Sequence, residues 1–577
     1  MKKKLLPALI VTGLIILVVI IMGITALINK YTPTKKTEDL KEYFNISSDD
    51  EAALIVDNEL SDCKAKIIDK KIYVDYKFVH DSLNSRFYWD ANENVLLYTT
   101  ASDIISAAAD SNSYSVTKQT NDFGYPIVKA TSDSALIALD YVKQYSNITF
   151  KSYDDPARIV ITSKWDEIDS ATVSKSTQVR VKGGIKSPIL KEVKKDDKIT
   201  ILDSGDKWDK VATEDGVIGY IKRKALSESK KTKLTNPDYE EETFTHIKKD
   251  KDICLAWNQV TSQSANSKVP QVISSTKGIN VMSPTWFYLN DNNGNLADIA
   301  SKDYVSYCHS QGIEVWGLFS NLENTDVDAA YVLTHTSTRT TLINQIMSAA
   351  FNYELDGVNI DFENITEAAY GDSYIEFIRE LAIKCHNNGI SLSVDVTVPA
   401  SFNKFFNRSD MANFADYIVI MGYDEHYKGS DAGSVSSIPW VTEGVESTLK
   451  EVPADQIILG MPFYTRIWEL TPKEDDDAVT DTEDQSKYTV ASQVYSMDAA
   501  AAQLATNNAT AALDEESGQN YAEWSVSNKL YKVWLEDSTS LEKRLKLVDD
   551  NKLAGAAFWK LGFENSSVWD TVIKYLD

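Results

Sequence analysis

The stretch Leu355-Asp356-Gly357-Val358-Asn359-Ile360-Asp361-Phe362-Glu363 alternates polar and apolar side chains with a period of two. On a β-strand that period sends Asn359, Asp361 and Glu363 to one face and Val358, Ile360 and Phe362 to the other. In a parallel barrel the apolar face packs against the surrounding helices, and the polar face enters the interior. Two carboxylates and an amide would then lie inside, at about a few kcal/mol each if left without partners, which argues against a purely packing role. Glu363 comes at the C-terminal end of the strand, where barrel enzymes keep their active sites.

Outward from this strand, apolar runs and helical stripes alternate from about His246 to the C-terminus. Strands are predicted at Ile253–Trp257, Gly278–Met282, Ile313–Phe319, Gly357–Phe362, Ile390–Val398, Tyr417–Met421, Ile457–Met461 and Gly555–Trp559. Between them lie stripes such as Leu342, Ile343, Ile346, Met347 and Ala350. Gln311-Gly312 and Asn388-Gly389 each end a helix ahead of a strand. Strands joined by helices imply a parallel sheet, and eight of them in about 330 residues suit a closed α/β (β/α)8 TIM barrel. The segment from Leu470 to about Leu541 is too long for a plain loop, so a small inserted α+β subdomain is expected between strands seven and eight.

The run at Asp356, Gly357, Asp361 and Glu363 resembles the Asp-Gly-x-Asp-x-Asp-x-Glu signature of family 18 glycoside hydrolases. The chain departs from it at Asn359, where many chitinases carry Asp; the subgroup acting on spore cortex and peptidoglycan often has Asn there. The departure also predicts one fewer ionisable group to couple with Asp361. Met421-Gly422-Tyr423-Asp424 resembles the family's Met-x-Tyr-Asp, and Gly460 to Arg466 its seventh-strand motif. Phe558-Trp559 stands where the family places a Trp under the reacting sugar, and Lys529 to Glu564 again looks like the cell-wall subgroup.

This resemblance implies substrate-assisted, retaining hydrolysis, in which the substrate's own 2-acetamido oxygen attacks the anomeric carbon. Glu363 would be the catalytic acid, Asp361 would orient the acetamido group, and Tyr423 would hydrogen-bond its oxygen. Asn359, Met421, Asp424, Arg466 and Trp559 would contact the sugar. The implied substrate is an N-acetylglucosamine polymer, with peptidoglycan favoured. Two alternatives stay open: a chitinase or chito-oligosaccharide hydrolase, and a non-catalytic cell-wall sugar-binding protein.

The N-terminal half has a different composition. Lys2, Lys3 and Lys4 precede an uncharged stretch from Leu5 to Ile28, so residues 1–30 are expected to be an uncleaved transmembrane anchor. The catalytic part would then be extracellular on a single-pass protein of the cell membrane, facing the wall. Residues 31–166 mix short strands and helices, with strands at Lys71–Val74 and Asn94–Thr99 and a helix at Asp133–Tyr145. The fragment Phe87-Tyr88-Trp89-Asp90 resembles the stalk-type module of copper amine oxidases, without any copper-ligand cluster. Residues 167–230 alternate short β-runs with turns at Gly183-Gly184 and Ser204-Gly205-Asp206, and resemble a bacterial SH3 module, which implies either a cell-wall contact or a spacer between membrane and catalytic domain. A polar linker, residues 231–245, leads into the catalytic barrel at 246–577.

Composition narrows the partners. With 59 Lys+Arg against 85 Asp+Glu, the net charge of -26 repels phosphate backbones and speaks against nucleic acid. Four cysteines in 577 residues are no disulfide framework, and Cys254, Cys308 and Cys385 fall in apolar patterns. Six scattered histidines show no HExxH or CxxC spacing, so neither a metal nor another cofactor is expected.

Overall fold

The computed structural model describes residues 5–363, 365, 370–473 and 484–576 of the chain. They form two compact units. The first runs from the N-terminal helix to Trp89 and adds Ala107–Tyr114 and Asn121–Glu241; the second comprises Asp90–Ser106, Ser115–Thr120 and everything from Glu242 on.

In the second unit, eight parallel strands close into a barrel: β1 (Ile253–Asn258), β2 (Val281–Leu289), β3 (Glu314–Ser320), β4 (Gly357–Asp361), β5 (Ser391–Thr397), β6 (Tyr417–Met421), β7 (Ile457–Pro462) and β8 (Gly555–Trp559). Each pairs with its neighbours in sequence, and β1 pairs with both β2 and β8. Val358, Ile360 and Phe362 join the large core between strands and helices. A second cluster of Ile253, Leu255, Trp257, Trp316 and Tyr417 fills the barrel interior. The expected α/β barrel is therefore present, with one boundary moved. Gly278 has a φ of +76°, a turn conformation, and β2 starts later and runs on to Leu289. Gly312 and Gly389 take the same left-handed conformation after their helices, at φ +75° and +69°.

The inserted subdomain is there as well. Its antiparallel sheet is built from Tyr464–Pro472, Tyr488–Ser496, Ala512–Asp514, Gln519–Val526 and Lys529–Leu535, with a helix at Met497–Thr506. It begins at Tyr464, only two residues beyond β7, and part of the span expected for it (474–483) lies outside the described residues.

Strand β4 begins at a close approach. A Cβ on Gly357 would lie 2.5 Å from Trp316 Cδ1, and Trp316 is buried and stacked on Tyr417 with ring centroids 5.6 Å apart. Gly357→Ala should cost about 1–3 kcal/mol. An unchanged urea midpoint would show that the Trp316 ring yields freely.

The helix before β4, Thr336–Tyr353, has no capping side chain of its own. Asp90, far away in sequence, supplies one: its Oδ2 accepts from Thr336 N at 2.7 Å and from Thr336 Oγ1 at 2.6 Å. Glu93 accepts from Ser337 N at 3.1 Å, so two carboxylates stand at the positive end of the helix. Asp90→Ala should lower stability by about 1 kcal/mol in thermal denaturation, and more than Glu93→Ala.

The first unit holds two seven-stranded sheets, one within residues 51–162 and one within 167–233. They share a core in which Phe44, Ala53 and Ile55 meet Val173, Val179, Val211 and Ile221. Asp215 is held at 2.5 Å by both Arg158 and Lys191. Within residues 133–145, where a single helix was expected, Ala135–Ala138 is a strand paired with Lys71–Asp75 and Val128–Ala130, and the helix covers only Leu139–Gln144. Open sheet edges outcompete helical propensity over this short apolar run. The segment Pro7–Tyr31 is helical, exposed, and long and apolar enough to cross a membrane; Lys2, Lys3 and Lys4 lie outside the described residues.

Candidate active site

The interior face of β4 delivers its polar residues as alternation requires, and neighbouring strands meet them with partners. Asn359 is 0% exposed and uses its whole amide. Its Oδ1 accepts from Trp257 Nε1 at 2.9 Å and from Ser283 Oγ at 3.0 Å. Its Nδ2 donates to Ser393 Oγ at 3.0 Å and to Asp395 Oδ1 at 2.7 Å. An ionised Asp here could not donate to the Asp395 carboxylate. The sugar contact expected of Asn359 is thus replaced by an internal bridge from β1 and β2 to β5.

Asp395 also revises the electrostatic expectation. Asn359 does remove a carboxylate from β4, but β5 returns one beside it. Burial pushes the Asp361 carboxyl well above the usual carboxylate range, and repulsion from Asp395, Glu363 and Glu323 adds to it. Asp395 is raised likewise, by burial first and by Glu363, against the pull of the Asn359 amide. Asp361 Oδ1 is buried without a hydrogen-bond partner.

Glu363 follows at the barrel mouth. Its side chain is exposed to solvent from above, yet enough protein surrounds the carboxyl that burial is the first cause of its raised pKa, ahead of Asp424 and Glu323. Its backbone N–H donates to Asn321 Oδ1 at 3.1 Å. A carboxyl held protonated above its ordinary range is what a general acid needs.

Aromatic rings line the opposite side. In an eight-strand ring β8 stands across from β4, and β1 across from β5. Trp559 ends β8 and meets Trp257 of β1 with ring centroids 5.9 Å apart; Tyr423, just past β6, lies 6.5 Å from Trp257. Burial, and then the Asp361, Asp395 and Glu363 charges, keep the Tyr423 hydroxyl protonated far above its usual range, so it remains a donor. Asp424 accepts a hydrogen bond from Tyr464 Oη, and Arg466 Nη2 stands 3.8 Å from it. Arg466 belongs to the first strand of the inserted sheet rather than to β7. Met421 closes β6 and lines a cavity beside Glu363.

The structure therefore gathers Asp361, Glu363, Met421, Tyr423, Asp424, Arg466 and Trp559 around one end of the barrel and places Asn359 beneath them. Sequence reasoning missed Asp395, Trp257, Ser283 and Ser393. Ser391, Ser393 and Asp395 repeat the period-two polar pattern of β4 on the next strand, which was the available signal. Among the described residues no group of three or more His, Cys, Asp or Glu is arranged to hold a metal ion.

Comparison with known proteins agrees with this geometry. Residues 318–564 match the model of the glycosyl hydrolases family 18. The chain is 24% identical over 302 residues to the uncharacterized glycosylase YvbX of Bacillus subtilis, covering 49% of this chain and 81% of that one. It is also 24% identical over 287 residues to the cortical fragment-lytic enzyme of the same organism, covering 48% of this chain and 63% of the relative. The fold is shared with the crystal structure of the Bacillus cereus spore cortex-lytic enzyme SleL, at a TM-score of 0.50 and 18% identity over 60% of this chain and 79% of that one.

Proposed function

We propose that this protein, whose residues 318–564 match the model of the glycosyl hydrolases family 18, hydrolyses β-1,4 bonds of an N-acetylglucosamine-containing polymer, and that the polymer is peptidoglycan. The observation that carries the reading is the buried, unpartnered Asp361 Oδ1 at the end of β4, two positions before Glu363. Leaving such an oxygen bare costs about 1–3 kcal/mol, and an acetamido N–H would supply the missing donor.

Glu363 gives its proton to the linkage oxygen as the bond to the anomeric carbon breaks. The substrate's acetamido carbonyl oxygen forms the new bond to that carbon, leaving a cyclic cation opposite the Asp361 charge. Water then adds at the same carbon, returns its proton to Glu363 and opens the ring, so configuration is retained. Tyr423 donates to the acetamido oxygen, and Trp559 is the apolar floor under the reacting sugar. Met421, Asp424 and Arg466 hold its rim, while Asn359 acts one layer below by fixing Asp395.

The cortical fragment-lytic relative supports a cell-wall substrate. The Pro7–Tyr31 helix is the single-pass anchor, with all that follows outside the cell, and the SH3-like residues 167–230 and the stalk-type residues 31–166 reach the wall. The test is product analysis with full-length protein in detergent, given purified sacculi and, separately, chitin oligosaccharides. Fragments from sacculi with N-acetylglucosamine at the new reducing end establish the reading. Cleavage of chitin oligosaccharides alone keeps the chemistry and moves the substrate, and cleavage of neither leaves a sugar-binding protein.

A further inference from the structure

Beside Glu363, on the side away from the Trp257–Trp559 floor, lies a cavity of about 160 Å³ that the mechanism above does not use. Its walls include Phe402, Phe405, Phe406 and Met421. The three phenylalanines belong to the turn Ser401–Phe406, which follows β5. Phe402 is 78% exposed, although its turn is firmly tied. Asn403 Nδ2 donates to Thr397 Oγ1 at 2.8 Å and to Val398 O at 3.0 Å, and its Oδ1 accepts from Ala400 N at 2.9 Å. Arg408 Nη2 donates to Thr397 O at 2.9 Å and to Asn403 Oδ1 at 3.1 Å. A large aromatic ring held out on a braced turn beside an acid is a pre-organised contact.

β5 neighbours β4, so the turn stands beside Glu363, away from Trp559 of β8. In the pose we infer, a sugar rests on Trp559, its linkage oxygen turns to Glu363, and the next unit runs toward this turn. That unit is the leaving group. In peptidoglycan it is an N-acetylglucosamine with a lactyl ether at its 3-oxygen, whose carboxyl is either joined to peptide as an amide or free as a carboxylate. At about 30 Å³ per water-sized group, the cavity has room for about five non-hydrogen atoms, the size of a lactyl amide. Its charge makes the choice between the two forms. Among the described residues the ionisable groups in its lining are Glu363 and Asp395, both acids, while Lys404 of the same turn is exposed and outside the lining. Arg408 packs over the Phe406 ring, 5.9 Å from its centroid, but its Nη2 is committed to the turn.

We propose that this cavity receives the 3-O-lactyl group of the leaving-group sugar, admitting it as an uncharged amide and rejecting it as a free carboxylate. The proposal rests on the glycosidase reading above and adds the chemistry of the unit beyond the scissile bond.

The test uses full-length protein in detergent and one soluble, peptide-stripped wall glycan in two forms, with free lactyl carboxylates or with the same groups converted to methylamides. Wild-type kcat/KM should favour the methylamide form by about tenfold or more, since the carboxylate would enter an apolar, acidic pocket without a partner. Phe402→Lys sets an ammonium at the cavity rim, on an exposed position that does not endanger the core. It should narrow that preference by about threefold or more. Equal wild-type rates on the two forms overturn the proposal, as does an undiminished preference in a Phe402→Lys protein of normal thermal midpoint. Cleavage of neither glycan brings down the glycosidase reading itself, and the subsite with it.

Discussion

Glu363→Gln should reduce hydrolysis by about 10³-fold while leaving the thermal midpoint unchanged. The amide keeps the size of the side chain and removes the transferable proton. Glu363 sits at the exposed mouth and its side chain takes no part in the core, so folding has little to lose. The pH profile gives an independent check. The acid must be protonated in the free enzyme, so the basic limb of kcat/KM reports Glu363 and lies above the ordinary 4.5 of a glutamic acid. After burial, the Asp424 charge contributes most to that elevation, so Asp424→Asn should move the limb to lower pH. A Glu363→Gln enzyme with near-normal turnover would remove this residue from the chemistry.

Asp361→Asn should have two effects of opposite sign, a loss of turnover by about 10²-fold or more and a gain in stability at neutral pH. Turnover falls because the developing cation loses the charge that faces it. The stability change follows from proton linkage. The folded-state pKa of Asp361 is raised above its unfolded value near 3.8, so the native protein binds this proton more tightly than the unfolded chain does. Stability from this group is therefore present at low pH and is lost as pH rises through the window between the unfolded and folded pKa values. The asparagine cannot ionise and escapes that loss. The variant should melt roughly 2 °C or more above wild type at pH 7.5, and the gap should close toward pH 4. A variant less stable than wild type at pH 7.5 would show that the Asp361 charge is compensated in the native site.

The different fates of Asn359 and Asp395 show how far local pattern reaches. Alternation along 355–363 put Asn359 and Asp361 on the interior face and Val358, Ile360 and Phe362 in the outer core, as found, while Glu363 follows the strand at the exposed mouth. Alternation has nothing to say about which interior residues touch one another. The contact of Asn359 with Asp395 joins residues 36 apart on different strands, and its contact with Trp257 spans 102 residues. Both depend on barrel register, which pairs Asn359 with Leu318 on one side and Ser393 on the other. For the same reason Asp90 was legible as part of a stalk-like fragment, and its role as cap for a helix 246 residues later was not.

By itself the sequence determined what depends on short-range periodicity and residue chemistry. This covers the eight strands and their order along the chain, the helix-ending glycines, the insertion after the seventh strand, the apolar N-terminal helix and the carboxylates at the end of the fourth strand. Those features follow from side-chain alternation and backbone preference within about ten residues. Tertiary structure alone decided that Asn359 is a sealed bridge, that Asp395 restores the missing carboxyl group, that Trp257 packs against Trp559, and that a braced Phe402 stands beside Glu363. Barrel closure sets those relations, because it brings β1 against β8 and β4 against β5 and so fixes distances between residues that no local pattern links.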